Sequence, residues 1–402
     1  MDINCLRCKG RGFCGKDFCH LAIRSHAAKK ILQIIPGGVF SGTSPAPFIG
    51  RAGYPYVNIG ILSPPEQRDD AWLYDAPRYW GAKQYSINEV LGFRASLINS
   101  RTKADSNALA DIIRQIGMSS APVDLEIGIE DRPRFAITSD SVMAPHGPSA
   151  LLRNARITTN PRVHPKVERI VSDTDLGAAE GMAYLHSHGF DENMISKLFS
   201  VGALGVRLQR KMVPTRWSIT ASDEILSSAF ISKLKENAII DCHKSYYGSY
   251  LGNHYIILLF PEVWGYELFE IANTGISQES AFCTDHEVYS GRKQYASNCA
   301  GGYYSVRLAL AEKLSSQRKQ ARALVIRVIT SEYSTPLGVW VTREAARKAL
   351  EAEAIIFDSR DLMLKYTQSL CRKKFGLDIS GMLKRSILIM EMVEQRKLDS
   401  AF

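Results

Sequence analysis

Four cysteines fall within the first nineteen residues, as Cys5, Cys8, Cys14 and Cys19 in the spacing Cys-x2-Cys-x5-Cys-x4-Cys. Two thiolates separated by two residues share one side of a tight turn. A second pair closes a tetrahedron from the other side, the geometry zinc prefers, with each sulfur at ~2.3 Å. Gly10, Gly12 and Gly15 permit the sharp turns, while Lys9, Arg11 and Lys16 offset the negative charge of a four-thiolate zinc. His20 is an alternative to Cys19 as the fourth ligand. The expected cofactor is one structural Zn2+, because four protein ligands leave no position for water. The competing reading is four unligated thiols in a tail, but so short a segment has little else to fold around.

Two phosphate-binding patterns overlap the same stretch. Residues 10–15 read Gly-Arg-Gly-Phe-Cys-Gly and fit G-x-G-x-x-G, and residues 10–16 fit the start of a P-loop. Neither stands. A dinucleotide fingerprint follows a strand, and too few residues precede Gly10 to form one. A P-loop needs Ser or Thr after its lysine to reach magnesium. This chain has Asp17 there, whose charge repels phosphate.

The 402-residue chain has a net charge of +9, and residues 1–30 hold seven Lys or Arg against two Asp or Glu. Over half of the net positive charge therefore sits on the cysteine-bearing segment. Such a field favours polyanions, nucleic acid above all; the plainer reading is a solvated basic face. The other cysteines, Cys242, Cys283, Cys299 and Cys371, are scattered. The chain opens with no basic stretch followed by an apolar one, and no apolar run reaches the ~18 residues of a membrane helix. A cytoplasmic location is expected, where clustered cysteines bind metal more readily than they form disulfides.

The last eight residues, from Gln395 through Leu398 to Ala401 and Phe402, approximate Gln-x-x-Leu-x-x-aromatic-aromatic. That pattern belongs to peptides that dock on the DNA polymerase sliding clamp (PCNA). In a 3₁₀ turn, residues three apart eclipse. Leu398 and the terminal aromatic then make one apolar plug, and Gln395 fills a polar pocket beside it. Ala401 stands where an aromatic is usual, which shrinks the plug. The competing reading is the frayed end of the last helix.

The middle of the chain offers weaker patterns. Arg207, Arg210, Lys211 and Arg216 cluster just before Trp217. They read either as a phosphate-contacting strip with a stacking aromatic or as a solvated helix end running into a buried tryptophan. Asp241, His243, His254, Asp285, His286 and Glu287 have the chemistry of a nuclease metal site, but no pair has a diagnostic ligand spacing. No H-E-x-x-H and no G-x-S-x-G is present.

These residues must be positioned by a mixed set of elements. Apolar residues at Leu109, Ile112, Ile113 and Ile116 predict a helix over 104–118. Helices are also predicted over 22–33, from Asp173 or Thr174 to 189, from 192 onward, over 222–237 capped by Ser222 or Asp223, over 303–322, from Thr342, over 358–374 and over 378–396. Glu344 and Glu351 are expected on an exposed helix face. Continuous apolar runs at 255–260 and 324–330 predict buried strands. Shorter strands are predicted at 57–62, 217–220 and 337–341. Residues 41–55, rich in Gly, Pro and Ser, predict a loop. The expected fold class is α+β, with a helical middle and a sheet in the second half. The expected divisions are a zinc knuckle at 1–20, core halves at 21–221 and 222–376, and a last helix with its clamp-binding peptide at 377–402.

Several blocks together resemble the archaeal Nre family of DNA-repair proteins. They are Val213-Pro214-Thr215-Arg216-Trp217-Ser218-Ile219-Thr220, Tyr250-Leu251-Gly252-Asn253, Gly302-Tyr303-Tyr304-Ser305-Val306-Arg307-Leu308-Ala309 and Pro336-Leu337-Gly338-Val339-Trp340, with Val171-Ser172-Asp173-Thr174-Asp175-Leu176 also fitting. The resemblance implies a DNA damage repair role, clamp binding through residues 395–402, and cysteine ligands at positions 5, 8, 14 and 19. It implies no catalytic residue. Two functions remain: a non-catalytic repair factor whose basic zinc segment touches DNA while its tail holds the clamp, or a tethered nuclease or nucleotide-modifying enzyme with its site in the core.

Overall fold

A computed structural model describes Cys8 and residues 19–35, 37–104, 107–135, 147–272, 282–299 and 301–394. The fold is mixed α+β and divides into two units. One comprises residues 1–226 with 335–338, the other residues 227–334 with 339–402.

The first unit is built on a six-stranded sheet in the order β1-β5-β6-β4-β3-β2. Its strands are β1 (Gly38–Ser44), β2 (Ala46–Ile49), β3 (Asn58–Ser63), β4 (Ile98–Lys103), β5 (Val123–Ile129) and β6 (Ser149–Ile157). Neighbours pair antiparallel except β4 and β6, which are parallel. Only Pro45 separates β1 from β2, yet they occupy opposite ends of the order, so the sheet curls until its ends approach. The helices are α1 (His20–Ile34), α2 (Pro77–Ala82), α3 (Ile87–Ala95), α4 (Asn107–Met118), α5 (Pro165–Ser172), α6 (Ala178–Ser187), α7 (Glu192–Ser200) and α8 (Thr215–Leu234), the last running into the second unit. Their starts have local causes. Ser86 and Glu89 form a reciprocal capping box on α3. The Asp191 carboxylate accepts from the Met194 amide at the start of α7. Helix α4 buries Ile113 and Ile116, and Gly117 lets Val201 approach closer than any Cβ would allow.

The second unit centres on another six-stranded sheet. Its strands are, in chain order, β8 (His243–Tyr250), β9 (Asn253–Phe260), β10 (Gly265–Ala272), β11 (Phe282–Glu287), β13 (Arg322–Ile329) and β14 (Ile355–Phe357), paired in the order β11-β10-β13-β9-β8-β14. The two-residue strands β7 (Ala238–Ile239) and β12 (Lys319–Gln320) pair separately. One face of the large sheet carries α9 (Gly302–Ser316) and α10 (Trp340–Glu351). The other packs Ile256, Leu258, Phe260, Leu324, Ile326 and Val328 against Met363 and Cys371 of α11 (Arg360–Phe375) and against Met382 and Leu383 of α12 (Ser380–Lys384). Helix α13 (Ile387–Glu394) follows. Apolar runs with both faces covered are what the continuous hydrophobic stretches at 255–260 and 324–330 require.

The expected helical middle is thus interrupted by a sheet. The expected loop at 41–55 holds the end of β1 and all of β2; residues 217–220, expected as a strand, lie in the opening turns of α8, and of residues 337–341, also expected as a strand, 337–339 form none and 340–341 begin α10. Asp173 does not cap a helix; it accepts from the Asp175 and Leu176 amides in a turn after α5. Glu344 is buried against Arg347 instead of facing water. The expected last helix is two short ones.

Candidate functional site

Cys5, Cys14, Lys9, Arg11 and Lys16 lie outside the described residues, as do Gln395, Leu398, Ala401 and Phe402. Of the knuckle, Cys8 is buried and Cys19 is half-buried. Cys19 immediately precedes α1, where its carbonyl accepts from the amides of Ala22 and Ile23.

The basic strip at 207–217 separates into two roles. The Arg210 guanidinium donates to three backbone carbonyls, of Gly205, Val171 and Asp173, each at 2.6 Å. It therefore fastens the end of α5 to the segment after Gly205. Arg207, Lys211 and Arg216 are exposed. Trp217 is not buried: it is 44% exposed and stands edge-on to Tyr54, with ring centres 5.1 Å apart. Tyr56 is 88% exposed, and Arg51 in the same loop is also exposed. The first unit also has a groove that the sequence did not reveal, lined by Arg101, Arg132, Arg134, Asp131 and Ser149. Arg134 pairs with Asp131 at 3.1 Å, and Arg132 donates to the Leu32 carbonyl.

In the second unit, strand register lines up polar residues across the sheet. Tyr255 of β9 sits opposite Arg327 of β13, which sits opposite Glu270 of β10, which sits opposite Cys283 of β11. Directly paired residues project to the same face. Arg327 binds Glu270 Oε1 through Nη1 and holds Asn253 Oδ1 with Nε and Nη2. Cys283 Sγ lies 3.8 Å from Glu270 Oε2 and 3.7 Å from Cys299 Sγ. Cys299 is buried and positioned by Asp285, whose Oδ2 accepts from the amides of Asn298 and Cys299, both at 2.8 Å. Gly302 completes the enclosure: a Cβ there would fall 2.1 Å from Glu270 Oε1. The Cys299 S–H donates to Cys283, which pushes the Cys299 thiol up and the Cys283 thiol down, and burial raises Cys299 further. Burial also raises the phenol of Tyr255, whose hydroxyl has no hydrogen-bond partner among the described residues.

The polar residues singled out in the sequence do not assemble into one site. Asp285 pairs with Arg292 at 3.0 Å, and Glu287 with Arg307 at 3.0 Å and the Trp264 indole at 2.8 Å. His254 accepts or donates at 2.8 Å to the Tyr247 hydroxyl. Asp241 is exposed, and His286 pairs in register with Glu267, away from the face of Asp285. Cys283, Cys299 and Glu270 were missed because no local spacing marks them. The one hint is Cys283-x-Asp285, a period of two that sends both to one face of a strand.

These features define a two-unit α+β protein with exposed cations and aromatics and a largely enclosed cysteine–carboxylate–arginine cluster. The chain belongs to the archaeal Nre family. The family's N-terminal profile ("Archaeal Nre, N-terminal") matches residues 13–276 and its C-terminal profile ("Archaeal Nre, C-terminal") matches residues 287–401. The DNA repair protein NreB of Archaeoglobus fulgidus is 33% identical over 393 residues, covering 96% of this chain and 97% of that one. NreA of the same organism is 35% identical over 375 residues, covering 90% and 92%. NreA of Haloferax volcanii is 36% identical over 330 residues, covering 78% and 79%. No solved structure matches the chain. Among the described residues, no helix is long and apolar enough to cross a membrane.

Proposed function

We propose that this protein is a cytoplasmic, archaeal DNA damage repair factor that docks on the DNA polymerase sliding clamp through Gln395, Leu398, Ala401 and Phe402. The repair context follows from the names of its relatives. Cys5, Cys8, Cys14 and Cys19 hold one structural Zn2+, and Lys9, Arg11 and Lys16 turn that knuckle toward DNA. The observation that carries the DNA-facing half is Trp217, exposed beside Tyr54 and next in sequence to the exposed cation of Arg216. Exposed aromatics take base stacking, and the adjoining arginines take phosphate. Arg207 and Lys211 are exposed cations in the segment just before Trp217. Arg210 contributes by holding that segment in place. Tethering to the clamp raises the local concentration of this surface at DNA without any new contact.

The test of the tail is calorimetry with the clamp: deletion of residues 395–402 should abolish binding, and retained binding sinks the assignment. DNA affinity should fall steeply with salt, since each neutralised phosphate releases counterions.

A second reading, an enzyme in the core, is favoured by the largely buried row from Tyr255 to Cys299, which is more polar chemistry than a sheet interior needs. Incubation with damaged and branched DNA, with Mg2+ or Mn2+, separates the two. The repair-factor reading expects no product.

A further inference from the structure

We propose that Cys283, Cys299 and Glu270 form a second metal site, separate from the N-terminal knuckle, that takes a thiophilic divalent cation, zinc above others.

The spacing of the donor atoms is the first argument. The two sulfurs are 3.7 Å apart, and Cys283 Sγ is 3.8 Å from Glu270 Oε2. All three donor atoms lie within 4.8 Å of one another. Ligands about 2.0–2.3 Å from a tetrahedral zinc are separated by edges of about 3.5–3.8 Å. The side chains thus already stand near the corners that the metal requires.

Charge is the second argument. Glu270 is matched by Arg327, so the cluster with both thiols protonated is neutral. Zinc entering it displaces two protons, one from each thiol, and forms two Zn–S bonds. The divalent cation replaces two unit charges, so the buried site stays neutral, and no desolvated net charge is created. A cation bound only by carboxylates would leave the thiols as spectators; thiolates select zinc over magnesium or calcium.

The third argument is the support around the donors. Arg327 occupies Glu270 Oε1 and leaves Oε2 turned to Cys283. Asp285 fixes the backbone of Cys299 through two amides. Outer partners that orient first ligands in this way are the usual companions of a metal site. Three protein ligands leave one coordination position, and Cys283 is only partly buried, so that position is open to a water or a substrate atom.

The experiment uses the full-length chain, reduced, loaded with Zn2+ and desalted, with metal counted by plasma mass spectrometry. The Cys5→Ser, Cys8→Ser variant should keep about one zinc, and adding Cys283→Ser should remove it. X-ray absorption on the Cys5→Ser, Cys8→Ser protein reads the site without altering it, and should show two sulfur scatterers with oxygen or nitrogen completing the shell. No zinc in that variant overturns the proposal while leaving the knuckle intact, as does zinc with no sulfur neighbours. A Cys283–Cys299 disulfide that persists under reduction and excludes zinc also overturns it. If wild type instead holds a single zinc that is lost with Cys283→Ser and kept in Cys5→Ser, Cys8→Ser, this site stands and the knuckle falls.

Discussion

Arg327 reaches across one strand spacing to Glu270, and the same guanidinium holds the Asn253 side chain on its other edge. Both charges of the pair are about nine-tenths buried. Removing one partner leaves the other unpaired away from water. Arg327→Met should therefore destabilise the second unit by about 3–5 kcal/mol, read as a shifted urea midpoint at unchanged slope. Near-wild-type stability would show that the pair is better hydrated than its burial implies.

Gly302→Ala tests the close approach at the start of α9. The new methyl cannot share space with Glu270 Oε1. The carboxylate must swing away, and Arg327 loses a charged hydrogen bond worth about 1.5–3 kcal/mol. The loss should be smaller than in Arg327→Met, because both charged groups remain to repair elsewhere. A stability equal to wild type would show that the side chain relocates at no cost.

Arg210 and Arg216 should behave as opposites. Arg210→Ala removes three hydrogen bonds to backbone carbonyls and should cost about 2–4 kcal/mol of stability. Arg216→Ala should leave the melting temperature alone and lower DNA affinity and its salt slope, measured by fluorescence anisotropy. The reverse pattern would exchange their roles.

Trp217→Ala should weaken binding of single-stranded DNA by about 1–3 kcal/mol, the usual worth of one stacked base. Because the ring is partly exposed, stability should change little. Unchanged affinity would remove the aromatic from the interface.

His254 sets a pH dependence. Burial lowers its pKa, with nearby Lys374 acting the same way and Glu332 opposing. The unfolded chain then takes up the proton more readily than the folded one. The histidine's contribution is present above its unfolded value, about 6.5, and is lost as pH falls through the lower folded value. Melting temperatures measured from pH 7.5 down to 5 should drop less in His254→Gln than in wild type.

How much was readable in advance depended on how local the cause was. Helix α4 follows from its own isoleucine spacing, and β9 and β13 from runs too apolar to be anything but enclosed. Strands β1 and β2 were hidden because Gly, Ser and Pro dominate residues 41–47, and their strand state comes from partners about 80 residues away in β5 and from β3. Helix α8 starts at Thr215, not at Ser222; the Thr215 side chain accepts from the Ile49 amide and so has a tertiary partner no spacing could disclose. The Cys283–Cys299–Glu270 cluster is the same case. Its members come from two strands and a turn, and only the β10–β11 register and the Asp285 carboxylate bring them together.

The order of strands in the second sheet also bears on how the chain is made. β13 lies between β9 and β10, which leave the ribosome more than fifty residues earlier. Until Arg322–Ile329 emerges, each of those strongly apolar strands leaves one edge of backbone N–H and C=O groups unpaired. Exposed edges of this kind template pairing with other nascent chains. A message truncated before residue 322 therefore encodes an aggregation-prone fragment, and a holding chaperone would have its most valuable work in that interval of synthesis.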